Sequence, residues 1–171
     1  MKKILLLLFI GLAFGQPKMD INNLIDSGGV LYAPNDDKPF TGIVFDLSKE
    51  TGSIISKTEY EQGIPHGIHI EWNNNVKKKV EGIYKSGVMD GKWIEWGENE
   101  QKSKEGTMKN SEREGLWTEW YENGQKRVEL TFKDGEKVRR TLWDYYENGQ
   151  KRVELTFKDG KREGLYVEWY D

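Results

Sequence analysis

The chain has no cysteine among its 171 residues, which excludes disulfides, thiolate nucleophiles and cysteine-ligated metal sites. Histidine is scarce, with only His66 and His69, in the stretch "PHGIHIEW". Three residues apart at a turn and strand start, they point to opposite faces, so a solvated pair is expected and not shared metal ligation. A dominant charge is also lacking. Lys and Arg number 26 against 29 Asp and Glu, a formal net charge of −3, which gives no pull toward nucleic acid or anionic membrane. The basic run "VKKKV" at residues 76–80 is short enough to be a solvated strand. Beyond the N-terminal segment no stretch shows helical periodicity. No nucleophile–base pair or metal-ligand spacing stands out, and the glycines sit at turns, not ahead of a phosphate-binding helix. The chain is therefore expected to be no enzyme, with no cofactor and no metal.

One long apolar run exists, at the N-terminus. "MKKILLLLFIGLAFGQ" opens with Lys2 and Lys3, runs apolar from Ile4 to Phe14, and places Ala13 and Gly15 where a signal peptidase reads small residues. Residues 1–15 are expected to be a signal peptide cleaved after Gly15. The run is too short to span a bilayer comfortably, and no cysteine follows to take a lipid. Loss of Lys2 and Lys3 takes the formal charge from −3 to −5. The mature chain is expected to be exported, to the periplasm, the cell envelope or beyond, without stable membrane insertion.

Glycine and aromatics are plentiful, at 19 Gly, 7 Trp, 8 Tyr and 6 Phe. They are also periodic. "YENGQKRVELTFKDG" occurs twice, at residues 121–135 and 146–160. Trp72, Trp96, Trp120, Tyr145 and Trp169 follow one another at steps of 24, 24, 25 and 24 residues, each after an acidic residue. Tyr60, Tyr84, Met108, Phe132 and Phe157 form a second row, and Gly67, Gly91, Gly115 and Gly164 a third. At the fourth register Arg140 stands in place of the glycine and one residue is inserted nearby. Periods of this length mark a small unit stacked many times.

Within one unit, "GLWTEWYE" reads as an aromatic strand and "QKRVELTFK" alternates like a half-buried one. Asn123-Gly124 and Asp134-Gly135 both carry the signal for tight type I′ turns. The fold class expected is all-β: an elongated, twisted, single-layer antiparallel meander of 24-residue hairpins over residues 28–171. Residues 16–27 are then a leader or an N-terminal cap.

The stretches "GLWTEWYENGQKRVELTFKDG" and "KDGKREG", with "KPFTG" ahead of the first unit, resemble the bacterial variant of the MORN repeat. The resemblance implies an elongated sheet of hairpins serving as a scaffold. It also implies an antitoxin or immunity role, since bacterial members often carry that label.

A two-residue turn at Asn123-Gly124 would pair Trp120 with Arg127 and Glu119 with Val128. One face then collects Tyr121, Trp117, Val128, Leu130 and Phe132, and is expected to carry stability. The other collects Trp120, Thr118, Leu116, Arg127, Glu129 and Thr131. On that mixed face Trp72, Trp96, Trp120, Tyr145 and Trp169 form a row, with Lys79, Arg127 and Arg152 placed to stack on the rings. These eight residues are the candidate interaction face. Cross-strand stabilisation of the sheet is the competing role for the same row. The carboxylates Glu71, Glu95, Glu119, Asp144 and Glu168 form a uniform row, which suits charge pairing with neighbouring cations better than the unlike pair a glycosidase needs. The expected function is a protein-interaction scaffold, with a carbohydrate-binding module as the alternative. Dimerisation would cover the face that a single sheet leaves open.

Overall fold

The computed structural model describes residues 15–164 and 166–169. Residues 1–14 of the expected signal segment lie outside them. β1 (Lys18–Asp20) and a short 3-10 turn (Ile21–Asn23) lead into a small hairpin of β2 (Ile25–Ser27) and β3 (Val30–Tyr32). Then come β4 (Gly42–Leu47), β5 (Ile54–Glu61), β6 (Ile64–Trp72), β7 (Lys78–Lys85), β8 (Val88–Trp96), β9 (Lys102–Lys109) and β10 (Glu112–Trp120). The chain ends with β11 (Lys126–Lys133), β12 (Glu136–Tyr145), β13 (Lys151–Lys158), β14 (Lys161–Arg162) and β15 (Val167–Glu168).

From β4 to β14 each strand pairs with the next in sequence order, and β15 pairs with β13 beyond β14, giving one open antiparallel meander. At 4.8 Å per strand its eleven successive strands extend over roughly 50 Å. One strand departs from the antiparallel expectation. β1 lies parallel to β4, with Lys18 opposite Ile43 and Asp20 opposite Phe45. Three residues, "KMD", carry too little alternation to announce a strand. Beside it Leu31, Phe40 and Val44 form a buried cluster packed by Met19, Leu24, Ala33 and Tyr60.

The two edges of the meander use different turns. At one edge Gln62-Gly63, Ser86-Gly87, Asn110-Ser111, Asp134-Gly135 and Asp159-Gly160 have positive φ at both residues, as type I′ requires. At the other edge only Gly124 of Asn123-Gly124 is positive, at 83°. There Gly124 N–H donates to Tyr121 O and Tyr121 N–H to Gln125 O, each at 2.9 Å, closing a three-residue loop with a glycine bulge. The Asn123 side chain braces it by accepting from Gln125 N–H at 3.0 Å. The type I′ expectation thus holds at Asp134-Gly135 and is corrected at Asn123-Gly124.

The longer loop would turn every following side chain to the wrong face. A bulge at Arg127 cancels it: Trp120 pairs with Lys126, but Glu119 pairs with Val128, and Trp117 with Leu130. The face assignment beyond the bulge is therefore as read from the sequence, while Arg127 is displaced from Trp120.

A second irregularity recurs in the odd-even junctions. Between Thr58 and Tyr60, between Gly82 and Tyr84, and between Glu114 and Thr118 the register jumps around Gly67, Gly91 and Gly115. These glycines have φ of 106°, 135° and 66°, a region costly to other residues. At the fourth junction Arg140 replaces the glycine. The register there shifts only between Thr131 and Phe132, leaving the single residue Val138 extra between Lys137 and Arg139. A side chain at Arg140 is incompatible with the glycine bulge, so the strand takes a smaller one.

With one layer, burial must come from side chains lying flat on the sheet. Gly82 pairs with Trp93, and Trp93 with Gly106. A Cβ on Gly82 would stand 2.1 Å from the Trp93 ring, and one on Gly106 2.2 Å from the Trp117 ring. Trp117 is 2% exposed and donates its indole N–H to Thr107 O at 3.0 Å. The Arg113 guanidinium covers it at 4.5 Å. Two repeats before Trp117 the same slot holds His69, and Thr58 takes the place of the facing glycine, its Oγ1 hydrogen-bonding His69 Nδ1 at 2.7 Å. His69 is 9% exposed and stacks toward Trp93 with ring centroids 6.0 Å apart, so the expected solvated histidine is corrected to a packed one. His66 stays more open, near Glu61. Across this packed face, ring size and facing residue vary together: Trp over Gly, His over Thr.

Candidate functional site: the aromatic–cation face

The opposite face carries the tryptophan row. Trp72, Trp96 and Trp120 each close a hairpin, paired with Lys78, Lys102 and Lys126; Tyr145 does the same with Lys151. Trp72, Trp96, Trp120 and Tyr145 are half-buried, and Trp169 is exposed. Strand alternation accounts for their shared side, and the bulge after each turn decides which cation meets them.

The expected cations are corrected. Lys79, Arg127 and Arg152 do not stack on the row; they pair with Glu71, Glu119 and Asp144. Lys104 pairs with Glu95 at 2.8 Å in the same manner. Glu71, Glu95, Glu119 and Asp144 of the carboxylate row are thus held by cations from the adjoining strand. The physical reason is the bulge, which turns Arg127 away and presents Lys126 in its place. The ring contacts come from the lysines one position earlier. Lys78 Nζ lies 5.1 Å from the Trp96 ring, and Lys151 Nζ 5.7 Å from Trp169. Such contacts are worth about 0.5–1 kcal/mol when exposed.

Trp143 belongs to this face and is absent from the sequence-derived row. Its ring is 5.7 Å from Lys126 Nζ and 5.9 Å from Lys151 Nζ. The signal was available: Trp143 stands two residues before Tyr145, so strand alternation puts both on one side. Tyr121 moves the other way. Expected on the packed face, it sits at a turn, meets Tyr145 edge-on at 6.2 Å and donates its hydroxyl to Trp143 O at 3.3 Å.

Each lysine also holds a glutamate three residues on. Lys78 reaches Glu81 at 2.6 Å, Lys126 reaches Glu129 at 2.5 Å and Lys151 reaches Glu154 at 3.1 Å; Lys102 pairs with Glu105 likewise. Lys92 joins Glu105 from β8 at 2.7 Å. The hydrogen bonds from Lys102 and Lys92 hold the Glu105 carboxyl below the usual carboxylate range, against a smaller upward push from burial. At Glu154 burial pushes up, but hydrogen bonds from Lys151 and Trp143 outweigh it and the carboxyl is lowered. Burial raises the Tyr145 hydroxyl.

Between these pairs lie two shallow troughs. One, of about 440 Å³, has Lys92, Glu105, Leu116, Trp120, Lys126 and Glu129 along its walls. The next, of about 170 Å³, has Ile68, Glu81, Ile83, Lys92 and Ile94. Lys92 stands between them. Leu116, Ile68 and Ile83 are 55%, 49% and 41% exposed. Among the described residues no group of three or more His, Cys, Asp or Glu side chains could hold a metal ion.

Residues 113–134 and 144–159 match the family model of the MORN repeat variant. Those stretches cover β10 to β11 and the end of β12 to β13, two of the successive hairpins. No curated protein matches the chain. Among solved structures, the chain is similar at 14% identity and a TM-score of 0.26 to a chain in the crystal structure of a GtfA/B complex bound to UDP and GlcNAc. The match covers 81% of this chain and 29% of that one, so this chain spans less than a third of that structure's length, and a likeness so slight carries no argument.

Proposed function

We propose that the chain is a non-enzymatic, exported interaction scaffold that takes a protein partner on its aromatic–cation face. One observation carries the reading: Ile68, Ile83 and Leu116 stand exposed in adjoining troughs, the first two beside Glu81 and Lys92 and the third beside Trp120 and the Lys126–Glu129 pair. Contiguous exposed apolar surface rimmed by polar groups is the usual mark of a partner site. Tryptophan adds large flat area at little rotamer cost. The MORN-like repeats support a binding role, and the N-terminal apolar run with Ala13 and Gly15 supports export. Exposed aliphatic side chains between the rings suit a protein's apolar side chains better than a sugar's hydroxyls. A polysaccharide partner would stack on the rings alone. Affinity capture from the native envelope, run beside a glycan screen, tests the reading. Capture of one protein that is lost in a Trp96→Ala/Trp120→Ala variant supports it. Glycan binding with no captured protein would replace it with the carbohydrate-binding alternative.

A further inference from the structure

We propose that the irregular fourth repeat carries an oxyanion-binding cleft on the packed face, built around Arg140 and Lys137. A repeat array offers the same surface many times, so a place where it breaks its own rule is where a distinct site can form. The rule breaks at Arg140, which stands where the other registers have Gly67, Gly91, Gly115 and Gly164. Two adjoining clefts lie at this register. One, of about 200 Å³, is bordered by Lys137, Arg139, Arg140, Phe157 and Asp159. The other, of about 270 Å³, is bordered by Glu119, Arg127, Lys137, Arg140 and Leu142. Arg140 and Lys137 are common to both.

Pairing distinguishes these two cations from Arg127 and Arg152. Arg127 is tied to Glu119 and Arg152 to Asp144. The Arg140 guanidinium instead lies over the Phe157 ring, 4.8 Å from its centroid, with no ion pair to any described residue. No carboxylate of the described residues comes within ion-pair distance of Arg140 or Lys137. Glu119 borders the second cleft but is already held by Arg127. Asp159 is the one acid at the first cleft. Arg113 lies nearby in the same pose, 5.5 Å from the Phe132 ring.

Stacking on Phe157 restrains the guanidinium fork at the cleft. A fixed fork of that kind binds a carboxylate or phosphate through two parallel hydrogen bonds, and the lysine adds a point charge. The clefts are small, so the ligand is an oxyanion group on a compact molecule: a phosphate or a carboxylate. This site lies on the other side of the sheet from the partner face, and it stands or falls independently of that reading.

Isothermal titration of the full chain at low ionic strength, with inorganic phosphate in one arm and glucuronate in the other, tests the proposal. Saturable binding at one site is expected in at least one arm, and the arm that binds identifies the anion. Arg140→Gln should weaken it about tenfold or more and Lys137→Gln several-fold. Lys109→Gln, at an exposed lysine on β9, should leave it unchanged. Lys137 is exposed, so its variant remains informative if Arg140→Gln fails to fold. No saturable binding in either arm would overturn the proposal. So would wild-type affinity in both cleft variants, or an equal loss in Lys109→Gln.

Discussion

The indole of Trp117 lies on the backbone of Gly106, so close that a Cβ at that glycine would stand 2.2 Å from the ring. A single-layer sheet has no second layer to bury its apolar side chains. It buries them by laying a ring flat where the next strand offers no side chain. The ring is then covered from above by Arg113. Stability in this molecule should therefore concentrate in a few ring–glycine pairs.

Gly106→Ala is expected to destabilise the chain by about 1–3 kcal/mol through overpacking, and Gly82→Ala under Trp93 similarly. Thermal melts of the two variants check this. The first repeat suggests the compensating change, because Thr58 accommodates His69. A Gly106→Thr/Trp117→His double variant should lose less stability than the sum of its single variants, read as a double-mutant cycle.

Trp117→Ala should cost about 3–5 kcal/mol, the range for a large buried aromatic. Trp96→Ala and Trp120→Ala remove half-buried rings and should cost clearly less. Denaturant melts of the three variants side by side give the ranking. Equal losses would mean that the aromatic–cation row is core.

Glu105 gives the stability a pH signature. Its carboxyl is held below the ordinary range in the folded chain by Lys102 and Lys92. The folded value lies below the unfolded one, so the contribution is fully present above the ordinary carboxylate pKa and is lost as pH falls through the lowered value. Glu105→Gln should lower Tm by a few degrees at neutral pH, and the difference should shrink as pH falls through the lowered Glu105 value and vanish once that carboxyl is protonated. High salt should shrink the neutral-pH difference, because Lys102 and Lys92 are largely exposed.

The proposed export gives a prediction about mass. The mature protein recovered from its native source should begin at Gln16. Intact mass spectrometry checks this, and a chain retaining Met1 would contradict it.

Much of the fold was legible because the period repeats its punctuation. The 24-residue step, the strand pair within each unit and the type I′ turn at Asp134-Gly135 all follow from local chemistry. Asn123-Gly124 was not legible in detail, since the same dipeptide serves a type I′ turn and a three-residue loop. The choice between them is made with the Arg127 bulge, which depends on pairing with β10. That bulge, repeated at the equivalent hairpins, moved the ring-stacking role from Lys79, Arg127 and Arg152 to Lys78, Lys126 and Lys151. The Gly106–Trp117 pairing left a trace, because Gly82 and Trp93 recur 24 residues earlier. Only the register shows that these residues face each other. β1 was beyond reach, as its parallel pairing with β4 is a tertiary contact with no pattern in three residues.

The central claim is a division of labour, with stability on the packed face and recognition on the aromatic–cation face. The most direct measurement is the yield of one envelope protein captured by the wild-type chain and by the Trp96→Ala/Trp120→Ala variant, at a temperature where both are folded. The account predicts capture by the wild type and its loss in the variant. Undiminished capture by the folded variant would contradict it.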